Sequence, residues 1–163
     1  MTQVVLSIGS NMGDRLAHLQ SVVDGLGDAV RAVSPVYETD PWGGVDQEPF
    51  LNAVLIAEDP ARDPHDWLRR AHEIEQAAGR VREVRWGPRT LDVDLIACYG
   101  AHGQLTLDDP ELTLPHPRAH LRAFVLVPWL DVDPAAELSR PVRELLTELD
   151  GDAVRPTALA LDI

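Results

Sequence analysis

Lysine is absent from this 163-residue chain; its 14 basic residues are all arginine. That excludes a phosphate loop built on a lysine and any Schiff-base chemistry. An anion would have to be met by arginine, histidine, a metal or backbone N–H groups. Cysteine is nearly absent as well. The single Cys98 can close no internal disulfide and, inside an apolar segment, reads as a small buried hydrophobe. No apolar run approaches a membrane span, and the opening Met-Thr-Gln-Val-Val-Leu-Ser has no basic stretch or small-residue cleavage site, so cytoplasm is the expected location and no membrane partner is expected. Positive charge is scarce: 27 acids against 14 bases leave a formal net charge of −13, which argues against a nucleic-acid partner. Length and a hydrophobic content of 45% predict a single domain over residues 1–163 with a sizeable core. No internal repeat, linker or low-complexity tract interrupts it.

Against that acidic background the stretch from Gly79 to Ile96 stands out. Its first half carries Arg80, Arg82, Arg85 and Arg89; its second half alternates Leu91, Asp92, Val93, Asp94, Leu95. In a strand, residues two apart share a face and lie roughly 7 Å apart, so Asp92 and Asp94 project together while Leu91, Val93 and Leu95 bury the other side. Paired carboxylates with substrate phosphate oxygens are a usual way of holding Mg²⁺, and guanidinium forks match phosphate geometry. The turn at Trp86-Gly87-Pro88 can fold the arginines back onto the acids. The plainer reading is an acidic edge strand beside a basic loop.

The other elements follow in order. Val4–Ile8 reads as a buried strand, then Asp14 caps a helix with an apolar stripe at Leu16, Leu19, Val23, Leu26 and Val30. Ser34–Thr39 predicts a second strand with Pro35 at its edge, and residues 40–49 a long Gly/Pro-rich loop that includes Trp42. Phe50–Ala57 predicts a third strand with Phe50, Asn52, Val54 and Ile56 on one face. Asn52 is anomalous there, since a buried amide without partners costs about 1–3 kcal/mol; it either bonds loop backbone or reads a ligand's edge, with Phe50 as a stacking surface. Asp63, Pro64 and Gly79 punctuate a second helix with a stripe at Leu68, Ala71, Ile74 and Ala78. Glu75 near its end reads as an exposed partner for an arginine or as a site residue; His65 and His72 read as surface residues. After Thr90–Tyr99, Gly100–Gly103 turns into a return strand at Gln104–Leu107. His116 lies between two prolines, with Arg118 and Arg122 just downstream for a second anion contact. Val125–Leu130 reads as the core side of a helix broken at Pro128, Pro141–Leu149 as a short helix, and Thr157–Leu161 as an edge strand.

Over nearly its whole length the chain resembles the 6-hydroxymethyl-7,8-dihydropterin pyrophosphokinases of the folate pathway. Arg85-Trp86-Gly87-Pro88-Arg89-Thr90-Leu91-Asp92-Val93-Asp94-Leu95-Ile96 fits that family's signature without departure. Ile8-Gly9-Ser10-Asn11, Phe50-Leu51-Asn52-Ala53 and Leu114-Pro115-His116-Pro117 resemble its further blocks in the same order. The resemblance implies an α/β (α+β) fold: a ferredoxin-like three-layer sandwich with a mainly antiparallel central sheet flanked by helices. It implies transfer of pyrophosphate from ATP to the pterin's hydroxymethyl oxygen, with release of AMP. Two Mg²⁺ ions would be held by Asp92 and Asp94. Arg80 and Arg89 would serve the phosphates catalytically, and Arg82, Arg85 and Trp86 belong to the family's mobile loop. Glu75, His116 and Arg122 would join the ATP site. Thr39, Trp42, Gly43, Phe50, Asn52 and Phe124 would form the pterin site. ATP and the pterin are the partners implied, to a monomer. Phe50 stands where some members carry tyrosine, Pro117 where some carry an aromatic, and the arginine loop is one residue shorter than in some.

Two other readings stay open on the residues alone. A metal-dependent phosphohydrolase would use the same acids and arginines, and only Phe50, Asn52 and Phe124 discriminate against it. A non-catalytic ligand-binding module of the same fold is the other, because fold does not fix function.

Overall fold

The apolar run at Val4–Ile8 is the middle of a longer strand, β1 (Thr2–Ser10), buried almost end to end in a computed structural model that describes residues 2–40, 48–79 and 90–163. It lies between β4 (Phe50–Asp59) and β5 (Asp92–Gly100), antiparallel to both. Two short strands, β2 (Val30–Val33) and β3 (Tyr37–Thr39), share the outer edge of β4. Further out, β6 (Gly103–Gln104) pairs with the end of β5 and β9 (Val154–Pro156) pairs with β3. A separate small hairpin joins β7 (Leu107–Asp108) to β8 (Thr113–Leu114).

The sheet has a different core on each face. On the first, helices α1 (Arg15–Leu26) and α2 (Pro64–Ala77) bury Leu19, Val22, Val23, Trp67, Ala71 and Ile74 against Val4, Leu6, Ile8, Leu51, Ala53, Leu55, Val93 and Leu95. On the second, α3 (Ala123–Val132) and α4 (Val142–Leu146) bring Val125, Leu126, Trp129, Val142 and Leu145 onto Val5, Val54, Ile56, Ile96 and Ala97. This is the expected α/β sandwich, and the strand order β5-β1-β4-β3 with two helices crossing one face is the ferredoxin-like arrangement. The alternation predicted along β4 is observed: Leu51, Ala53, Leu55 and Ala57 enter the first core, Val54 and Ile56 the second. Cys98 is buried in the first core, where desolvation pushes its thiol up to about 12, so it is an inert packing residue.

Both long helices start as their sequences direct. The Asp14 carboxylate accepts the Ala17 N–H at 3.2 Å. Asp63 and Asp66 cap each other reciprocally at 2.9 and 3.1 Å, with Pro64 opening the helix. Several expectations need correction. Val30 does not continue the stripe of α1, because Gly27 takes φ +56 and ends the helix; Val30 opens β2 instead. Ser34–Thr39 is not one strand. Its first part leaves the ladder at Pro35, and Ser34 bridges the gap by accepting the Val54 N–H through its hydroxyl at 2.9 Å. The return strand predicted over Gln104–Leu107 is divided between β6 and β7. Pro128 does not break α3, whose apolar face stays seated on the sheet through Val125, Leu126 and Trp129 while its last turn closes by Asp133 N–H donating to Trp129 C=O at 2.9 Å. The last edge strand is Val154–Pro156 rather than Thr157–Leu161. In α2, Trp67 is 1% exposed and, four and seven residues before Ala71 and Ile74, it rather than the half-buried Leu68 continues the buried stripe.

Candidate active site

Helices α3 and α4 cover only one end of the sheet's second face. Beyond them, Asn52, Gly9 and Asp92 stand side by side on β4, β1 and β5, and the next row is Val54, Ser7 and Asp94. Strands about 4.8 Å apart put Asn52 and Asp92 roughly 10 Å from each other across this face. The end of the face that α3 and α4 leave open is the floor of a cleft of about 640 Å³. Asp92 and Asp94 share that floor, as the alternation predicts, while Val93 and Leu95 are buried behind them.

A bulge lies immediately past the acids. The β1–β5 register shifts between Val5 and Leu6, so that Ile96 is the extra residue and both Ile96 and Ala97 face the second core. The edge of β5 facing away from β1 is tied at two points. Glu75 on α2 accepts the Val93 N–H at 2.9 Å, and the His116 N–H donates to the Ile96 carbonyl at 2.8 Å. Val93 and Leu95 both line the cleft between those ties. By the two-residue period, the Leu95 N–H points to the same side as the Val93 N–H, so the strand edge offers polar backbone to a ligand.

Glu75 is therefore not the exposed residue that its helix position suggests. It is 3% exposed and held against the strand. Asn52, 4% exposed, is also buried, and its carbonyl accepts the Thr39 hydroxyl at 2.6 Å. That bond fixes the amide's orientation and leaves its NH₂ end over Gly9. A Cβ built at Gly9 would lie 2.8 Å from Asn52 Nδ2 and 3.6 Å from Phe50 Cδ1, so only glycine leaves room for the amide there.

The far wall is the segment from Leu114 to Phe124. Arg122 Nη1 lies 3.9 Å from Asp94 Oδ2, and its guanidinium sits 5.7 Å over the Phe124 ring. Arg122 thus couples the acidic row to the aromatic wall. His116 Nδ1 accepts the Arg118 backbone N–H at 3.1 Å, which leaves the ring proton on Nε2. Burial, then the charges of Arg122 and Arg118, push its pKa down from the ordinary 6.5 to about 4. At neutral pH His116 is a neutral donor through Nε2, not a cation. Because the folded pKa lies below the unfolded one, the protein should lose stability as pH falls from 6.5 towards about 4. Denaturant melts across that window should show a shallower loss for His116→Gln, which keeps a neutral donor; parallel curves would mean His116 is not held neutral.

Of the residues singled out from sequence, Thr39, Phe50, Asn52, Glu75, Asp92, Asp94, His116, Arg122 and Phe124 all line this one cleft. Trp42, Gly43, Arg80, Arg82, Arg85, Trp86 and Arg89 lie outside the described residues. The cleft also takes in Ser7, Gly9, Leu68, His72, Glu111, Leu112, Thr113 and Arg118. His72, a plain surface residue by its sequence, is exposed but on the cleft wall. The spacing Leu68, His72, Glu75 is one helix face, a signal that becomes visible once Glu75 is placed.

The chain matches the family model described as 7,8-dihydro-6-hydroxymethylpterin-pyrophosphokinase over residues 5–134. It is 63% identical over 168 residues to the 2-amino-4-hydroxy-6-hydroxymethyldihydropteridine pyrophosphokinase of Mycobacterium bovis, covering 95% of this chain and 89% of the relative. The protein of the same name from Bacillus subtilis is 37% identical over 156 residues, covering 92% and 87%. Among solved structures, the wild-type Plasmodium falciparum HPPK-DHPS with SDX-DHP is similar at a TM-score of 0.64 and 14% identity, over 90% of this chain. The chain spans 44% of that longer protein, and the likeness speaks to the fold alone. A matching family model over most of the chain, and close relatives along nearly its full length, show that the chain belongs to the 7,8-dihydro-6-hydroxymethylpterin-pyrophosphokinase family.

Proposed function

We propose that this chain transfers the pyrophosphoryl group of ATP to the hydroxymethyl oxygen of 6-hydroxymethyl-7,8-dihydropterin, as a step in folate biosynthesis. The hydroxyl oxygen bonds to the β-phosphorus, the bond from that phosphorus to the α–β bridging oxygen breaks, AMP leaves and the hydroxyl proton passes to solvent. The observation that carries the reading is the floor of the cleft. An oriented amide at Asn52 and a carboxylate pair at Asp92 and Asp94 stand in register on one face of the sheet, with Phe50 and Phe124 beside them. A hydrolase of simple phosphates has no use for the amide or the aromatic slot.

In this reading Asn52, held by Thr39, reads the donor–acceptor edge of the pterin, and Phe50 and Phe124 stack on its ring. The β5 edge at Val93 and Leu95, with Leu68 and Leu112 at its sides, takes the nucleotide's base. His116 donates through Nε2 and Arg122 adds positive charge where the phosphates cross the acidic row. Trp42 and Gly43 complete the pterin side, and Arg80, Arg82, Arg85, Trp86 and Arg89 the phosphate side. Among the described residues, no group of three or more His, Cys, Asp or Glu side chains converges as a metal cage. Two carboxylates alone fit Mg²⁺, which is usually bound through one or two carboxylates plus water and substrate phosphates. When bound to Asp92 and Asp94, two Mg²⁺ ions would neutralise the triphosphate and lower the cost of charge moving between oxygens. The protein's own share is positioning, which is worth more here than acid–base chemistry.

No helix among the described residues is long and apolar enough to cross a membrane, and we read the chain as a single domain acting as a cytoplasmic monomer. Incubation with ATP, Mg²⁺ and hydroxymethyl-dihydropterin tests the reaction. AMP should appear in step with the pterin diphosphate; release of ADP, or of inorganic phosphate without pterin consumption, would overturn it.

A further inference from the structure

The hairpin β7–β8 and helix α2 form adjoining walls of the cleft. Glu111, Leu112 and Thr113 come from the hairpin, and Leu68, His72 and Glu75 from the helix. The hairpin's turn is organised by one side chain: Asp109 Oδ1 accepts the N–H of Glu111 at 2.9 Å and of Leu112 at 2.8 Å, and the Asp109 N–H donates to the Leu112 carbonyl at 3.2 Å. The other carboxylate oxygen, Oδ2, is taken by His65 Nε2 at 2.8 Å. His65 lies in the first turn of α2, immediately after Pro64. The spacing His65, Leu68, His72, Glu75 places all of them on one stripe of the helix. The same stripe that lines the cleft therefore begins with a contact that grips the opposite wall, and a single carboxylate both shapes the turn and receives that grip.

We infer that His65 is a positioning residue for the nucleotide: through Asp109 it sets the separation of the Leu68 and Leu112 walls. This rests on the proposed assignment of that end of the cleft to ATP. Leu114 and Leu107 on the two strands anchor the hairpin's base in the first core, and Leu112 at its tip is 7% exposed, so the clasp acts on the tip alone. Without His65 the turn keeps its internal hydrogen bonds, because Oδ1 makes them, and the hairpin stays folded on its core leucines, but its tip can shift relative to α2. The pterin end of the cleft, at Asn52 and Phe50 on β4, does not depend on the clasp.

The test compares the wild type with His65→Ala and His65→Gln, whose amide nitrogen reaches about where the imidazole Nε2 lies. For His65→Ala, KM for ATP should rise about 5-fold or more, a fraction of the ~100-fold that a displacement of 1 Å can cost. KM for the pterin and kcat at saturating ATP should stay within about twofold of wild type, as expected when only uniform binding is lost. His65→Gln should restore KM for ATP. The thermal midpoint should fall by no more than about 2–4 °C, as for loss of one partly exposed hydrogen bond worth about 1 kcal/mol. Unchanged KM for ATP in His65→Ala, equal losses for both substrates, or no rescue by glutamine would each overturn the inference. A wild type that turns over with normal kinetics while His65→Ala matches it sinks only this clasp; a wild type that releases no AMP sinks the proposed function itself.

Discussion

Replacing Asp94 by asparagine is expected to lower turnover by at least about 100-fold, the scale set by removing one preorganised group from a charge-stabilising site. The substitution keeps the shape of the side chain and its place on β5, while it removes the negative charge and turns one acceptor oxygen into an NH₂ donor. Asp94 is half-exposed on the floor of the cleft and lies 3.9 Å from Arg122, a contact too long and too solvated to hold up the fold. The thermal midpoint should therefore stay near that of the wild type while the rate collapses. Raising Mg²⁺ should recover part of the rate if the variant's affinity is the deficit, and none of it if the remaining carboxylate cannot orient the triphosphate. Near-normal turnover at saturating Mg²⁺ would remove Asp94 from the metal assignment and leave the phosphates to the arginines.

The second large effect is expected at Asn52. Truncation to alanine should weaken pterin binding about 10- to 100-fold, equivalent to the roughly 1–3 kcal/mol lost when a buried hydrogen-bonding group goes unmet. ATP binding should change far less, since Asn52 lies on β4 and the end of the cleft proposed for the nucleotide is built from β5, α2 and the hairpin. Gly9→Ala provides an independent check from the neighbouring strand. Its new Cβ would fall 2.8 Å from Asn52 Nδ2, while the Thr39 hydroxyl holds the other end of the amide at 2.6 Å. With both ends constrained, the amide must give way, and the same pterin-selective loss should follow. Calorimetric titration with each ligand separates the cases: equal losses for pterin and ATP would contradict the role given to Asn52, and an unaffected Gly9→Ala would show that the amide is not confined over that glycine.

The parts of this site that are legible in the amino-acid sequence share a property. Asp92 with Asp94, and Phe50 with Asn52, are pairs two residues apart on one strand, and their common face follows from the local pleat of the backbone. The caps at Asp14 and Asp63 are equally local, since each side chain reaches a backbone N–H about three residues ahead. The resemblance to the pyrophosphokinases adds which face of which strand matters and brings His116, Arg122 and Phe124 together across long stretches of chain. The residues that local reasoning misplaces have the opposite character. A carboxylate near a helix C-terminus is usually exposed, but Glu75 is buried by a backbone N–H of β5, a partner that no helical period reveals. Trp67 is a different case: four residues before Ala71 and seven before Ile74, it is placed in the core by the helical period, and only the Thr2 hydroxyl that accepts its indole N–H is distant in sequence. Pro128 suggests a break because its ring and missing N–H disfavour a helix, yet packing against the sheet outweighs that cost.

The sequence by itself determined the period of each strand, the starts of the long helices, the shared face of the two aspartates and the chemistry available to meet an anion without lysine. Tertiary structure decided which end of the sheet α3 and α4 leave open, that the bulge at Ile96 lies just past the acids, that Gly9 and Asn52 meet, and that His116 is neutral with its proton on Nε2. The physical reason is range. Side-chain direction along a strand or helix depends on a few neighbouring dihedrals, whereas the depth, polarity and protonation of a site depend on which distant edges are brought into contact, and that is settled only when the two cores on either side of the sheet have closed.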